Sequence, residues 1–79
     1  MNYRVLYFAS LRDAAGRDAE QVESDHADAR ALYDELRARH GFRLGAERLR
    51  VAVNGEFADW HAALADGDEI AFLPPVSGG

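Results

Sequence analysis

The fold of this chain is decided by residues 28–41, which read DARALYDELRARHG. The apolar and aromatic residues of this stretch fall on one face of an α-helix, and they are Ala29, Leu32, Tyr33, Leu36 and His40. Asp28, or alternatively Asp25, is a suitable N-cap because its carboxylate can accept hydrogen bonds from unpaired backbone N–H groups. Gly41 follows as the residue that ends the helix. The sequence therefore predicts one helix over residues 28–40.

Two extended segments precede this helix. Residues 3–9 (YRVLYFA) are rich in β-branched and aromatic residues, which is typical of a strand. Residues 19–24 (AEQVES) form a weaker second strand, expected as the return of a hairpin. The polar segment between them, residues 10–18 with Gly16 inside it, predicts a loop or tight turn.

Two further strands follow the helix. Residues 49–53 (LRVAV) predict a third strand, and Asn54-Gly55 after it is a strong turn signal. A short helical or 3₁₀ turn is expected within residues 59–64. Asp66-Gly67-Asp68 predicts another turn, and residues 69–73 (EIAFL) predict the last strand.

One helix can cover only one face of such a sheet. Alternate residues of a strand point to opposite faces, and the first and last strands are apolar on both. We expect the helix to cover Val5, Tyr7, Ile70 and Phe72, and to leave Leu6, Phe8, Ala71 and Leu73 on the other face. An uncovered apolar patch usually marks a partner-binding surface. The alternative is that loop 42–48 or segment 56–65 folds over it.

The composition excludes several kinds of site. The 79 residues suffice for one small domain, and they contain no cysteine, which removes disulfides, thiolate metal sites and cysteine nucleophiles. All nine basic residues are arginines, so a P-loop lysine or a Schiff-base lysine is impossible. The net charge of −5 argues against nucleic acid or an anionic membrane as a partner. With no apolar run near the ~18 residues of a membrane span, we expect a cytoplasmic protein.

No side-chain catalyst stands out. His26, His40 and His61 lack the spacing of metal ligands, and no G-x-S-x-G motif is present. Residues 66–69 (DGDE) are acidic but lack the length and ligand pattern of a calcium loop. We therefore expect no metal site.

The unusual chemistry lies in the last six residues. Pro74 and Pro75 hold the backbone extended, and Gly78 and Gly79 lack the Cβ that would keep a chain out of a narrow channel. The α-carboxylate of Gly79 is a poor electrophile, so a reaction there needs a leaving group, and adenylation by ATP is the usual route. The alternative is an inert, frayed tail.

The sequence resembles the small subunits of molybdopterin synthase, the MoaD family of ubiquitin-like sulfur carriers. The matching segments are residues 5–9 (VLYFA) with Arg12 and Gly16, residues 52–54 (AVN), residues 66–69 (DGDE) and, above all, residues 72–79 (FLPPVSGG). Leu73 stands where some members carry an aromatic residue, and Ser77 where threonine is frequent. The resemblance implies an α+β fold of the β-grasp type over residues 1–73. Its mixed sheet would have four to five strands with one main helix on one face, followed by an extended tail over residues 74–79.

The resemblance also implies a mechanism without catalytic side chains on this chain. An E1-like enzyme would use ATP to adenylate Gly79, and a sulfur donor (a sulfurtransferase or desulfurase) would displace AMP to leave a thiocarboxylate. No cofactor would stay bound. The tail would enter the large subunit of the synthase, where Gly78 fits the channel and the sulfur passes to cyclic pyranopterin monophosphate. The residues expected to bind partners are Phe8, Arg12, Leu73, Pro74, Pro75, Val76 and Ser77.

The sequence leaves three other functions open. The sulfur carrier of thiamine thiazole synthesis shares the fold and the Gly-Gly end, but Pro74-Pro75 and the chain length favour molybdopterin synthase. A protein modifier would join Gly79 to a lysine of a target protein. A plain interaction module would bind through its sheet and carry an inert tail.

Overall fold

A computed structural model describes residues 1–75 of the chain, which form a five-stranded sheet and two helices. The strands are β1 (Asn2–Tyr7), β2 (Ala19–Glu23), β3 (Arg50–Val53), β4 (Glu56–Ala58) and β5 (Glu69–Leu73), and the helices are α1 (Ala9–Ala15) and α2 (Ala29–His40), with a 3₁₀ turn at Ala46–Arg48. The strand order is β2-β1-β5-β3-β4. β1 pairs with β5 in parallel, and the other neighbours are antiparallel. The mixed α+β architecture predicted from the sequence is confirmed.

Helix α2 begins and ends as the sequence predicts. The Asp28 side chain accepts a hydrogen bond from the Ala31 backbone N–H at 2.7 Å, so Asp28 rather than Asp25 is the N-cap. Gly41 has a φ of 74°, a left-handed conformation that glycine adopts without a steric cost, and its N–H donates to the Arg37 carbonyl at 2.8 Å.

The core is a single layer between α2 and the sheet. Tyr33 of α2 lies edge-on to Phe72 of β5, with ring centroids 5.1 Å apart, and stacks on Phe42 at 5.9 Å. Its hydroxyl donates to the Leu44 carbonyl at 2.6 Å, so the buried polar atom is satisfied. Residues that are at most 1% exposed include Val5, Tyr7, Leu32, Leu36, Ile70 and Phe72. The four strand residues expected beneath the helix are therefore buried.

The loop predicted over residues 10–18 is wrong for its first six residues, because Ala9–Ala15 form helix α1. Leu11 is its one buried side chain, 1% exposed, and a single apolar anchor gives no periodic pattern to detect. The alanines, leucine and arginine of ASLRDAA favour helix intrinsically. Gly16, at a φ of 75°, ends the helix in the left-handed conformation.

The region after β3 also differs from the sequence prediction. Asn54-Gly55 make the expected turn, with φ values of 52° and 85°, but the turn leads into β4, a three-residue strand that the sequence did not predict. Of the short helical or 3₁₀ turn expected within residues 59–64, the structure forms a single turn, in which the Ala62 N–H donates to the Asp59 carbonyl at 3.0 Å. Beyond it Ala63 bridges to Asp28, and the Leu64 N–H donates to the Ala27 carbonyl at 2.8 Å.

A polar cluster joins the edge strand β2 to the end of α2. Glu20 Oε1 accepts a hydrogen bond from the Tyr7 hydroxyl at 2.7 Å and lies 2.9 Å from His40 Nε2. Burial raises the pKa of Tyr7, and the bond to Glu20 raises it further. Burial also tends to raise the pKa of Glu20, but the hydrogen bonds from Tyr7 and His40 and the nearby positive charges outweigh it, so the pKa of Glu20 is lowered.

The helix cap generates a first prediction. Replacing Asp28 by alanine leaves the Ala31 N–H without its acceptor and should lower the free energy of unfolding by about 1 kcal/mol. Urea denaturation checks this value. Asp34→Ala is the control, since Asp34 is an exposed residue of the same helix that makes only a surface ion pair with Arg30. Equal losses in the two variants would contradict the capping role.

The Glu20 cluster generates a second prediction. A carboxyl group whose pKa is lower in the folded than in the unfolded state stabilises the fold above its unfolded pKa of about 4.3, and this contribution is lost as the pH falls through the folded pKa. Glu20→Gln should therefore lower the free energy of unfolding at pH 7, and the difference from the unmodified chain should shrink below about pH 4. Denaturation at several pH values measures it, with Glu23→Gln, an exposed change in the same strand, as the control. A difference that stays constant down to the lowest pH would refute the assignment.

Candidate functional site

The sheet face opposite α2 carries a row of apolar side chains. The strand registers place Leu6 beside Ala71, Ala71 beside Ala52, and Ala52 beside Phe57, so this row crosses four strands. Leu6 and Ala71 are half-buried, and Phe57 is 61% exposed. We call this side of the sheet the uncovered face. Its existence confirms the sequence prediction, and Phe57 enlarges it beyond the residues that were expected.

Neither segment proposed as a cover folds over this face. Phe42 of loop 42–48 lies against Tyr7, with ring centroids 5.6 Å apart, and is part of the core on the helix side. Trp60 of segment 56–65 stacks on Phe72, with centroids 5.9 Å apart and an interplanar angle of 6°. Phe72 is on the helix side as well. Within residues 1–75, the apolar row is therefore open to a partner.

Phe8 is placed at the rim of the uncovered face by a sharp change of backbone direction. β1 ends at Tyr7, and the next residue is the N-cap of α1, whose carbonyl accepts a hydrogen bond from the Leu11 N–H at 3.1 Å. The Phe8 side chain makes no capping bond and is 42% exposed. Because Tyr7 pairs with Phe72, the residues that follow along the two strands, Phe8 and Leu73, are neighbours.

The other residues predicted to bind partners are distributed as follows. Arg12 lies on α1, exposed, one turn after Phe8. Leu73 and Pro74 are half-buried and Pro75 is exposed. The structure thus brings Phe8, Leu73 and the start of the tail together. Val76, Ser77, Gly78 and Gly79 lie outside the described residues.

A groove follows the start of the tail. It has a volume of about 470 Å³, and its lining consists of Glu47, Arg48, Leu49, Arg50, Phe57, Leu73, Pro74 and Pro75. We call it the tail-root groove. Arg50 faces Leu73 across β3 and β5, and its Cζ lies 3.9 Å from the centroid of the Phe57 ring. The sequence analysis did not identify Arg50 and Phe57 as candidate partner-binding residues. The signal that could have indicated Phe57 is the turn Asn54-Gly55, because a strand that returns after this turn places Phe57 on the uncovered face.

The arrangement is suited to binding a partner. Among residues 1–75, no group of three histidines or carboxylates is placed to hold a metal ion. Neither helix of the described part is long and apolar enough to cross a membrane. The largely buried Tyr7–Glu20–His40 cluster joins β1, β2 and α2. What the structure offers a partner is an apolar sheet face that leads into the tail.

Curated proteins similar in sequence to this chain include sulfur carrier subunits of molybdopterin synthase. The molybdopterin synthase sulfur carrier subunit of Escherichia coli (strain K12) is 39% identical over 79 residues, which cover 96% of this chain and 98% of the relative. Among solved structures, the small archaeal modifier protein 1 of Haloferax volcanii superposes with a TM-score of 0.80 at 29% identity, covering 95% of this chain and 98% of that one.

A second solved structure is a complex of subunits 1 and 2 of the molybdopterin-converting factor from Helicobacter pylori 26695. The matching chain has a TM-score of 0.71 and 26% identity, and the match covers 100% of both chains. The profile of the ThiS family matches residues 5–79, which is nearly the whole sequence. This chain therefore belongs to the ThiS family, and it has the ubiquitin-like β-grasp fold that the resemblance predicted.

Proposed function

We propose that this chain is the sulfur-carrier subunit of a molybdopterin synthase and donates sulfur from a thiocarboxylate on Gly79 to cyclic pyranopterin monophosphate. The observation that carries the proposal is the similarity to the Escherichia coli sulfur carrier subunit over nearly the full length of both chains. The uncovered face supports it, because a carrier needs a surface by which a second subunit can hold it.

The proposed chemistry takes place at a carboxylate that must first be activated. An E1-like enzyme transfers AMP from ATP to the Gly79 carboxylate and releases pyrophosphate. A persulfide on the sulfur donor then attacks the carbonyl carbon, and AMP leaves with one of the carboxylate oxygens. A thiol reduces the resulting acyl disulfide, which leaves the thiocarboxylate on Gly79 and a disulfide between the thiol and the donor. After that sulfur has bonded to the pterin, water attacks the Gly79 carbonyl carbon and breaks its bond to sulfur, which returns the carboxylate and leaves the sulfur on the pterin. ATP serves the activating enzyme as a substrate, and we place these steps in the cytoplasm.

The large subunit of the synthase is the partner proposed for the uncovered face. The Helicobacter pylori complex supports this pairing, because its chain matching this one is bound to a second subunit. In the present chain Phe8 and Leu73 stand beside each other at the point where β5 gives way to Pro74 and Pro75. Contacts there would fix the start of the tail, so that the remaining residues reach a defined position in the partner.

Protein modification is a second candidate, favoured by the structural similarity to the small archaeal modifier protein 1 of Haloferax volcanii. It uses the same activated Gly79 and differs in the acceptor, which is an amine of a target protein. A sulfur carrier of thiamine thiazole synthesis would also use the thiocarboxylate on Gly79, but it would pass the sulfur to a different acceptor molecule. Incubating the thiocarboxylated chain with each class of acceptor separates the three.

The terminal glycine yields a third prediction. Deleting Gly79, or adding one residue after it, should abolish pterin thiolation in a synthase reconstituted with the large subunit, because the reacting carboxyl is removed or displaced. The binding affinity for the large subunit should change far less, since the uncovered face is intact. Full thiolation by either variant would contradict the proposal.

The exposed aromatic ring of Phe8 yields a fourth prediction. Phe8→Asp should weaken large-subunit binding by about 30-fold or more, because an aromatic anchor is replaced by a charge that the partner must desolvate. Titration calorimetry measures the dissociation constant.

This substitution carries its own control for folding. Phe8 is the N-cap of α1 and makes no capping bond, whereas aspartate is among the best N-cap residues. The variant should therefore unfold at the same urea concentration as the original chain or a higher one. An unchanged dissociation constant in that folded variant would remove Phe8 from the interface.

A further inference from the structure

Two of the positive charges of this acidic chain lie together at the tail-root groove. The protein carries 14 acidic and nine basic side chains, a balance that by itself suggests a partner with a basic surface. The groove reverses that balance locally, because its lining contains two arginines, Arg48 and Arg50, and one acidic residue, Glu47. The part of the surface nearest the tail is therefore the wrong place for a basic partner.

Arg50 has no ion-pair partner in the part of the chain that the structure describes. No carboxylate of residues 1–75 comes within 4.0 Å of its guanidinium; it lies instead over the Phe57 ring, 3.9 Å from the centroid. Arg4 provides the comparison, since it is on the same face of the sheet and pairs with Glu69 at 3.6 Å. Arg4, which is far from the tail, is thus paired with a carboxylate, whereas Arg50, which is beside the tail, contacts an aromatic ring.

Stacking on Phe57 makes Arg50 a prepared binding group. An aromatic ring attracts the guanidinium through its π face and leaves the N–H groups at the guanidinium edge free to donate. The planar guanidinium can donate two parallel hydrogen bonds to the two oxygens of a carboxylate. Because the ring already holds it in one orientation, it loses less conformational entropy on binding than a freely rotating arginine side chain would. The apolar neighbours Leu73 and Pro74 would exclude water from such a pair.

Covering Arg50 with an uncharged surface would be unfavourable. A charge removed from water without a partner costs far more than an exposed one, and the loss is recovered only by an opposite charge in good geometry. Any protein that binds along β5 to reach the tail must cover this groove, because Leu73 and Pro74 are part of its lining. Its surface there must supply an acceptor.

We propose that an acidic segment of the large subunit binds in the tail-root groove and places a carboxylate on Arg50. The inference rests on the proposed function, because it takes the large subunit as the occupant, and it adds to it the chemistry of the contact. Phe8 and Leu73 supply the apolar part of the interface, while Arg50, oriented by Phe57, selects a partner with an acidic residue opposite β3.

The test measures the dissociation constant of the complex with the large subunit for three variants, at low and high salt. Arg50→Gln should weaken binding about 10-fold and reduce its dependence on salt, because a screened charge pair is lost. Arg50→Glu should weaken binding more strongly than Arg50→Gln, because it places like charges together. Arg4→Gln is the matched control: it removes an arginine from the same face, but one already paired within the chain, and should change the constant less than about 2-fold.

Each outcome has one meaning. Equal affinities and equal salt dependence for the original chain and Arg50→Gln would overturn the inference while leaving the proposed function intact, since binding itself is preserved. If Arg4→Gln weakens binding to the large subunit as much as Arg50→Gln does, the inference is also overturned. Positive charge anywhere on the uncovered face would then favour binding, with no specific contact in the groove. If the original chain does not bind the large subunit at all, the inference and the proposed function both fail.

Discussion

The structure depends on one constraint: one long helix, aided by Leu11 of the short helix α1, has to bury a sheet whose central strands are apolar on both faces. α2 covers Tyr7, Ile70 and Phe72, and a second layer is missing from the other side. The hydrophobic effect therefore stabilises the domain through one face and leaves the other available for association. Loop 42–48 and Trp60 add to the same core layer, so they improve its packing without covering the opposite face.

The position of β5 connects this core to the tail. β5 lies between β1 and β3, and two of its residues, Ile70 and Phe72, are fully buried under α2. The strand ends at Leu73, and Pro74 and Pro75 then prevent further pairing of their backbone nitrogens. The start of the tail is thereby anchored in the centre of a rigid sheet, flanked by Phe8 on one side and Arg50 on the other. The proposed function needs this geometry, because a carrier that reacts at Gly79 would have to deliver that residue to an active site in another protein.

The sequence predicted the parts of the fold that have a strong local pattern. The span of α2 to within one residue, the bounds of β5 and the two faces of the sheet all follow from spacing and residue type, whereas the choice of Asp28 over Asp25 as the N-cap comes from the structure. α1 was missed because Leu11 alone anchors it, and β4 because three residues are too few for an alternating pattern. The candidate site shows the same division: Phe8 and Leu73 were predicted from their positions on a strand, whereas the Arg50–Phe57 contact depends on a hairpin that brings two separate residues together.

The central claim is that Gly79 carries sulfur, and the absence of cysteine makes it directly measurable. The chain would be produced together with an E1-like activating enzyme and a sulfur donor, treated with a thiol-alkylating reagent, and analysed by intact and fragment mass spectrometry. Since the sequence contains no thiol, the account predicts a single adduct, located at Gly79, and none in a variant with one residue added after Gly79. An unalkylated chain, obtained with an activating enzyme shown to adenylate it, would contradict the account.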